Sequence, residues 1–305
     1  MKRDHYFGGI EAGGTKFNCL VASSPDDVLD QTRVPTTSPT ETLQRVIDFF
    51  APYVKAGRIG ILGVGSFGPC DLTPGSSTFG FITSTPKPGW QNTDVVGPLR
   101  AALGVEVLFD TDVNAAALGE FTWGATAGLD TSLYLTLGTG IGGGLIVGGK
   151  PLHGLHHPEM GHIRIPHDRI RDPFPGACPF HADCFEGLAS GPAIQQRFGR
   201  KGEALADDDP FWQLESEYIA AAVSNYILVT SPSRIVLGGG IMQRGFLLAM
   251  VRQAVVRLLA GYVDHPVIAL RIDQYIVSPG LHDRSGMLGA IALASAGSRE
   301  QRKSP

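Results

Sequence analysis

Three short apolar runs open the chain, at residues 6–12, 17–22 and 28–34, and turn-forming residues separate them. That pattern predicts antiparallel strands joined by tight turns. Leu43, Val46, Ile47 and Phe50 then recur at helical spacing, predicting a helix over 40–55 with Ser38 as cap and Pro39 in its first turn. Continuous apolar runs at 58–65, 79–83 and 105–109 read as strands, the last leading into a helix that begins near Asp112. A second round starts with strands at 131–137 and 141–147, paired across a glycine turn. It continues with a helix within 210–229, a strand at 234–237 and a helix across 243–262. A strand near 267–271 and a final helix over 283–296 close it, with 298–305 expected to fray. Both rounds begin with hairpin-linked strands and pass to helix–strand alternation, so the pattern predicts an α/β architecture duplicated within the chain.

The 305 residues suffice for two domains of ordinary size with a large core. A net charge of −4 gives no basic footprint for nucleic acid. No apolar run approaches the roughly 18 residues of a membrane span. The segment through Lys16 lacks the apolar core of a signal peptide, which predicts a cytoplasmic protein. The 40 glycines are bunched in a few turns, a distribution that favours backbone–ligand contacts over collagen-like or disordered sequence. The expected class is a soluble α/β enzyme.

Three glycine-rich segments follow strands: EAGGTK at 11–16, LGTGIGGG at 137–144 and LGGGIM at 237–242. Gly138, Gly140 and Gly143 satisfy G-x-G-x-x-G, but 145–147 continues as strand where a dinucleotide fingerprint needs a helix N-terminus. Gly63, Gly65 and Gly68 fit it too, yet Pro69 follows and no βαβ unit surrounds them. Gly144 to Lys150 matches G-x-x-x-x-G-K, but Pro151 replaces the hydroxyl residue that would hold magnesium. A hairpin-type phosphate cradle remains, in which backbone N–H groups converge on an anion. Two such hairpins could clamp a triphosphate, with Thr15 and Thr139 adding hydroxyls. The loop at 237–242, between strand and helix, suits a flat base.

His162, Cys178, His181 and Cys184 offer two imidazoles and two thiols, three of them in the knuckle Cys-x-x-His-x-x-Cys. Four N and S donors suit tetrahedral zinc, and in a reducing cytosol such a cluster reads as metal ligands before a disulfide. Glu159 lies three residues before His162 and Glu186 two after Cys184, so a metal folding this loop would also aim two carboxylates. Cys19 and Cys70 fall outside and read as buried thiols.

FDTDVN at 109–114 places acids where a strand ends and a helix starts. Asp112 reads as helix cap, as general base for an attacking hydroxyl, or as both. Asn114 can donate to and accept from a neighbouring hydroxyl, whereas Asp110 reads as an acceptor of backbone N–H groups. Trp90 and Asn92, in TPKPGWQNTD, read as a further polar site, with packing the competing role for Trp90.

Taken together, EAGGTK, GSFGP, DTDVNAAALGE, LGTGIGGG, PEMGH, CPFHADC with Glu186, and LGGGIM resemble the ROK (repressor, open reading frame, kinase) family of sugar kinases, in order and spacing from about residue 8 to 297. The resemblance implies the actin-like, ribonuclease-H-type ATPase fold, two α/β domains flanking a cleft. Residues 1–114 with about 283–305 would form the small domain and 115–282 the large one. It implies Asp112 as base for the sugar's 6-hydroxyl, with Asn114, Glu159 and Glu186 as sugar ligands and Gly68 and Asn92 lining the pocket. It implies phosphate binding by Gly13, Gly14, Thr15 and Lys16 and by Gly138, Thr139 and Gly140, and adenosine binding by Gly238, Gly239 and Gly240. His162, Cys178, His181 and Cys184 would hold a structural Zn2+, MgATP would be the donor, and a homodimer is a family-level expectation.

Two positions depart from the common pattern. Glu11 stands where many members have Asp near the magnesium-bound phosphates, and Cys-x-x-His-x-x-Cys replaces the Cys-x-Cys-Gly that usually precedes the last cysteine. Both, with TPKPGW and CFEGLASGPAI, look like the bacterial fructokinase subgroup, which implies phosphorylation of fructose to fructose 6-phosphate. A mannokinase or broad hexokinase is the same-class alternative, since residue chemistry alone does not separate the hexoses. A sugar-sensing repressor of this family would carry an N-terminal winged helix, for which a first strand near Tyr6 leaves no room, and would not need Asp112. A zinc-ribbon nucleic-acid module is disfavoured by net charge and by a single cluster.

Overall fold

The computed structural model describes residues 6–301. It begins with β1 (Tyr6–Ala12), β2 (Lys16–Ser24), β3 (Asp27–Pro35), α1 (Pro39–Lys55) and β4 (Ile59–Ser66). The ribbon of β5 (Phe81–Ile82) and β6 (Thr93–Asp94), then α2 (Val96–Leu103) and β7 (Glu106–Thr111), complete the first half. The crossing helix α3 (Asp112–Trp123) leads to β8 (Thr131–Leu137), β9 (Ile141–Val147) and β10 (Lys150–Pro151). After a long loop come α4 (Phe185–Ala189), α5 (Gly191–Phe198), α6 (Phe211–Thr230), β11 (Ile235–Gly238) and α7 (Gly245–Leu259). Two short helices, α8 (Pro266–Leu270) and α9 (Ile272–Tyr275), precede β12 (Ile276–Val277) and α10 (Ser285–Gln301).

The strands form two five-stranded sheets of matching design, ordered β3-β2-β1-β4-β7 and β10-β9-β8-β11-β12. In each, three antiparallel strands are extended by two parallel ones. The predicted duplication is therefore present in strand order as well as in pattern.

Local chemistry accounts for most boundaries. The Ser38 hydroxyl accepts the Glu41 N–H at 3.4 Å and Pro39 sits in the first turn, so α1 starts where a cap predicts; Thr42, Leu43, Val46 and Phe50 form its buried stripe. The apolar pattern at 267–271 predicts a strand, and the structure has helix α8 there. Pro266 opens the helix and the His265 side chain accepts the Val267 N–H, while Leu270 is 81% exposed. A five-residue apolar run fits either period, and the cap decides. The edge strand is β12 instead. The strand expected over 79–83 shrinks to the two residues of β5. Helix α10 runs through 298–301, within the stretch expected to fray, and 302–305 lie outside the described residues.

Helix α10 returns to pack on β1 and β4 and crosses α3. Glycine makes that approach possible: a side chain on Gly289 would collide with the Ala115 carbonyl, and one on Gly63 with the Ala290 carbonyl. At the end of α3, Glu120 is fully buried. Its carboxylate accepts the N–H groups of Ala125, Gly280 and Leu281 at 2.7, 2.9 and 3.0 Å and the Ser285 hydroxyl at 2.6 Å. The two crossing helices are thus pinned to each other through one side chain.

Candidate active site

Strand register brings the candidate residues together. Ala12 of β1 pairs with Ser66 of β4, and Ser66 with Thr111 of β7, so the Gly13 hairpin, the Gly68 loop and Asp112 leave the same sheet edge side by side. In the second sheet Gly238 pairs with Thr136, which places the loop after β11 beside the β8–β9 hairpin. Each glycine loop therefore leaves the carboxyl end of a strand next to another functional loop.

The hairpins have the form a phosphate cradle needs. Gly13 donates its N–H to the Lys16 carbonyl at 3.0 Å, and Gly138 to the Gly140 carbonyl at 2.9 Å. Thr15, Lys16, Thr139 and Gly140 are exposed, and a side chain on Gly14 would meet nothing. Gly239 has a φ of +90° and packs on Leu137, where any side chain would strike the Leu137 backbone. A Cβ built on Gly138 lies 3.9 Å from the Gly240 nitrogen, so the second hairpin and the Gly238–Gly240 turn touch.

Asp112 is not the helix cap. Thr111 caps α3, its hydroxyl accepting the Asn114 N–H at 3.1 Å, and Asp112 is the first helical residue. Its side chain is thereby free of capping duty, apart from accepting the Val113 N–H at 2.9 Å. Burial, then the neighbouring negative charge of Glu11, pushes its pKa up to about 7, with Glu159 adding to the rise. A carboxyl titrating there is matched to general-base work near neutral pH.

Asn114 is 1% exposed. Its Nδ2 donates to Asp110 Oδ1 at 2.7 Å, which fixes the amide orientation and leaves Oδ1 buried with no partner. Asp110 also accepts the Thr111 N–H at 2.7 Å, as expected, and its other oxygen lies 3.0 Å from His153 Nε2.

Glu159 and Glu186 face one electrostatic environment. Partial desolvation of the Glu159 side chain, which is still 40% exposed, raises its pKa, and the Glu186 charge adds to that. Glu186 Oε2 accepts the Ile141 N–H at 2.8 Å and sits 2.9 Å from where a Gly140 Cβ would be, so the residue joins the cysteine loop to the second hairpin. Gly68 lies against Cys70 and His157. Asn92 stands apart: it is exposed, with a φ of 54°, and among the described residues no hydrogen bond joins its side chain to the other candidates. Trp90 is a packing residue, fully buried, with its indole N–H on the Thr37 carbonyl at 2.8 Å and its ring against Phe17 and Phe67.

The loop between β10 and α4 gathers His162, Cys178, His181 and Cys184, whose donor atoms all lie within 4.8 Å of one another. Cys178 Sγ is 3.7 Å from Nδ1 of both His162 and His181, and Cys184 Sγ is 3.6 Å from His162 Nδ1. Bond lengths of about 2.3 Å for Zn–S and 2.0–2.1 Å for Zn–N give a tetrahedral S···N edge of about 3.6 Å, so the quartet fits zinc. His156, His157 and Glu159 also bring donor atoms within 4.8 Å of one another, but both ring nitrogens of His157 face protein partners. Cys19 and Cys70 are buried free thiols, as expected.

Sequence reasoning passed over three partners. Asn18 donates to Glu11 Oε2 at 2.7 Å, His153 meets Asp110, and His157 meets Cys70 and Glu159. The doubled histidine directly before Pro158 and Glu159 is the available signal for the His157–Glu159 contact alone. Among the described residues, no helix is long and apolar enough to cross a membrane.

Comparison with known proteins agrees with this geometry. The ROK family matches residues 7–296. A fructokinase from Zymomonas mobilis is 46% identical over 305 residues, covering 97% of this chain and 99% of the relative. One from Lactococcus lactis is 42% identical over 290 residues, covering 95% of this chain and 97% of the relative. Among solved structures, a ROK hexokinase from Thermus thermophilus superposes with a TM-score of 0.77 at 27% identity, covering 97% of this chain and 99% of that one. With its two sheets of matching strand order, the chain belongs to the ROK family and has the actin-like ATPase fold.

Proposed function

We propose that this protein is a fructokinase, transferring the γ-phosphoryl group of ATP to the 6-hydroxyl of D-fructose to give fructose 6-phosphate and ADP. The observation that carries the reading is Asp112, a carboxyl with a pKa near 7 on the same sheet edge as a phosphate hairpin. The choice of fructose is supported by the fructokinases to which the chain is similar across nearly its whole length.

In this reading the cleft lies between residues 1–114 with about 283–305 and residues 115–282. Gly13–Lys16 and Gly138–Gly140 hold the phosphates, and Gly238–Gly240 the adenosine. The unpartnered Asn114 Oδ1 accepts a sugar hydroxyl, and so do Glu159 and the free Oε1 of Glu186. Gly68 brings backbone close to the sugar; Asn92, which stands apart from the other candidates, would reach the sugar only from the rim of the pocket. Asp112 takes the proton of the 6-hydroxyl as the new P–O bond forms, because an alcohol must lose its proton to become the phosphate ester. Closing the cleft keeps water from taking the phosphoryl group.

Glu11, whose Oε2 accepts the Asn18 amide, would face the Mg2+ that accompanies ATP, directly or through water, and that ion would offset phosphate charge. Zinc held by His162, Cys178, His181 and Cys184 is structural, since four protein ligands leave no open position for water. Its role is to hold Glu159 and Glu186, on either side of the ligand set, at a fixed separation.

An ADP-release assay across fructose, mannose, glucose and N-acetylated hexosamines tests the substrate. Fructose should give the highest kcat/KM, with the ester formed at carbon 6. A higher value for mannose or glucose would make the protein a kinase of that sugar.

A further inference from the structure

His157 is 6% exposed, although the five residues before it, Leu152 to His156, are all exposed. Its Nε2 accepts the backbone N–H of Cys70 at 3.0 Å, a contact spanning 87 positions of sequence. Its Cε1 lies 3.6 Å from where a Cβ on Gly68 would stand. Burial, with His156 close by, pushes its pKa down to about 4, so the ring is neutral at ordinary pH. A neutral ring that accepts at Nε2 carries its proton at Nδ1. Nδ1 faces the Pro158 carbonyl and the Glu159 carboxylate, whose Oε1 is 3.4 Å away. The Cys70 contact therefore sets the tautomer and turns the N–H edge of the ring toward Glu159, close to its carboxylate but short of a formed hydrogen bond.

We infer that His157 is a positioning residue for the sugar, tying Glu159 on one wall of the cleft to the Gly68–Cys70 loop on the other. Its ring holds the acceptor carboxylate and the close-approach backbone in one register without touching the substrate. A sugar bound between them meets both at a set spacing. The inference rests on Glu159 being a sugar-hydroxyl acceptor.

The test is calorimetric binding of fructose without nucleotide, together with KM for fructose and for ATP, on the full chain. The variants are His157→Ala, His157→Asn, His157→Gln, Glu159→Gln and the double variant His157→Ala/Glu159→Gln. His157→Ala should weaken fructose binding about three- to ten-fold, the range of the neutral hydrogen bond to Cys70 that it removes, and leave KM for ATP unchanged. Asn keeps an amide donor at the δ position toward Glu159, and Gln an acceptor at the ε position toward Cys70. Each should recover part of the loss. The double variant should bind little more weakly than the weaker single one, because both changes remove the same interaction.

If Glu159→Gln binds fructose normally, the assignment of Glu159 itself fails. If Glu159→Gln weakens binding and His157→Ala does not, or if the two effects add in full, the positioning role is overturned. A parallel rise in KM for ATP would also overturn it, as general damage. Should His157→Ala fail to fold, wild-type affinity in both the Asn and Gln variants would overturn it equally.

Discussion

Asn114 gives its amide hydrogen to Asp110 across 2.7 Å, and its own oxygen is left buried without a donor. An unpartnered buried acceptor costs about 1–3 kcal/mol, and a sugar hydroxyl entering the cleft would recover that cost. Asn114→Ala should therefore raise the KM for fructose about ten-fold or more, with a smaller effect on KM for ATP. Asp110→Asn frees the amide to rotate and should produce part of the same loss. Steady-state kinetics with each substrate varied in turn check this; an unchanged fructose KM in Asn114→Ala would remove the residue from the sugar pocket.

The zinc quartet should hold about one tightly bound zinc per chain, measured by elemental analysis of the purified protein. Cys178→Ser should lose the metal and, with it, affinity for fructose, because Glu159 and Glu186 flank the ligand set. Protein purified without zinc yet binding fructose normally would contradict the structural role.

Glu120→Ala would leave the N–H groups of Ala125, Gly280 and Leu281 and the Ser285 hydroxyl without their shared acceptor. A buried donor left without its acceptor costs about 1–3 kcal/mol, so thermal or denaturant unfolding should show a loss of at least that order. A change under about 1 kcal/mol would mean that water or a shifted loop replaces the carboxylate.

The raised Asp112 pKa also makes a statement about stability. An unfolded Asp titrates near 3.9, whereas the folded one holds its proton to about pH 7. Between those values the folded chain binds the extra proton, so this group's contribution is fully present below about pH 4 and is lost as pH rises through about 7. Asp112→Asn cannot ionise and should melt above the wild type at pH 8, the difference vanishing near pH 4. Melting curves at the two pH values decide it: an equal difference at both would mean the carboxyl is not perturbed.

Much of the site was legible because its motifs are local. The paired glycine hairpins, the cysteine knuckle and the strand–helix junction at Asp112 each lie within a few residues of sequence, and register places them on common sheet edges. What escaped depends on distant partners. Nothing near His157 announces Cys70, and nothing near Glu120 announces Gly280 and Ser285. Adjacent capping residues also compete: Thr111 and Asp112 both cap well, and the hydroxyl takes the role, which frees the acid for the cleft. At Pro266–Leu270 a short apolar run carried no decisive period, so the His265 and Pro266 start signal outweighed strand propensity.

Asp112 is the proposed base in fructose phosphorylation. Its most direct test is the turnover of Asp112→Asn with fructose and MgATP, measured beside fructose binding to the same protein. Loss of general-base catalysis predicts turnover lower by about two to four orders of magnitude, with the dissociation constant for fructose within a few-fold of wild type. Turnover within ten-fold of wild type, or fructose binding lost along with it, would contradict the assignment.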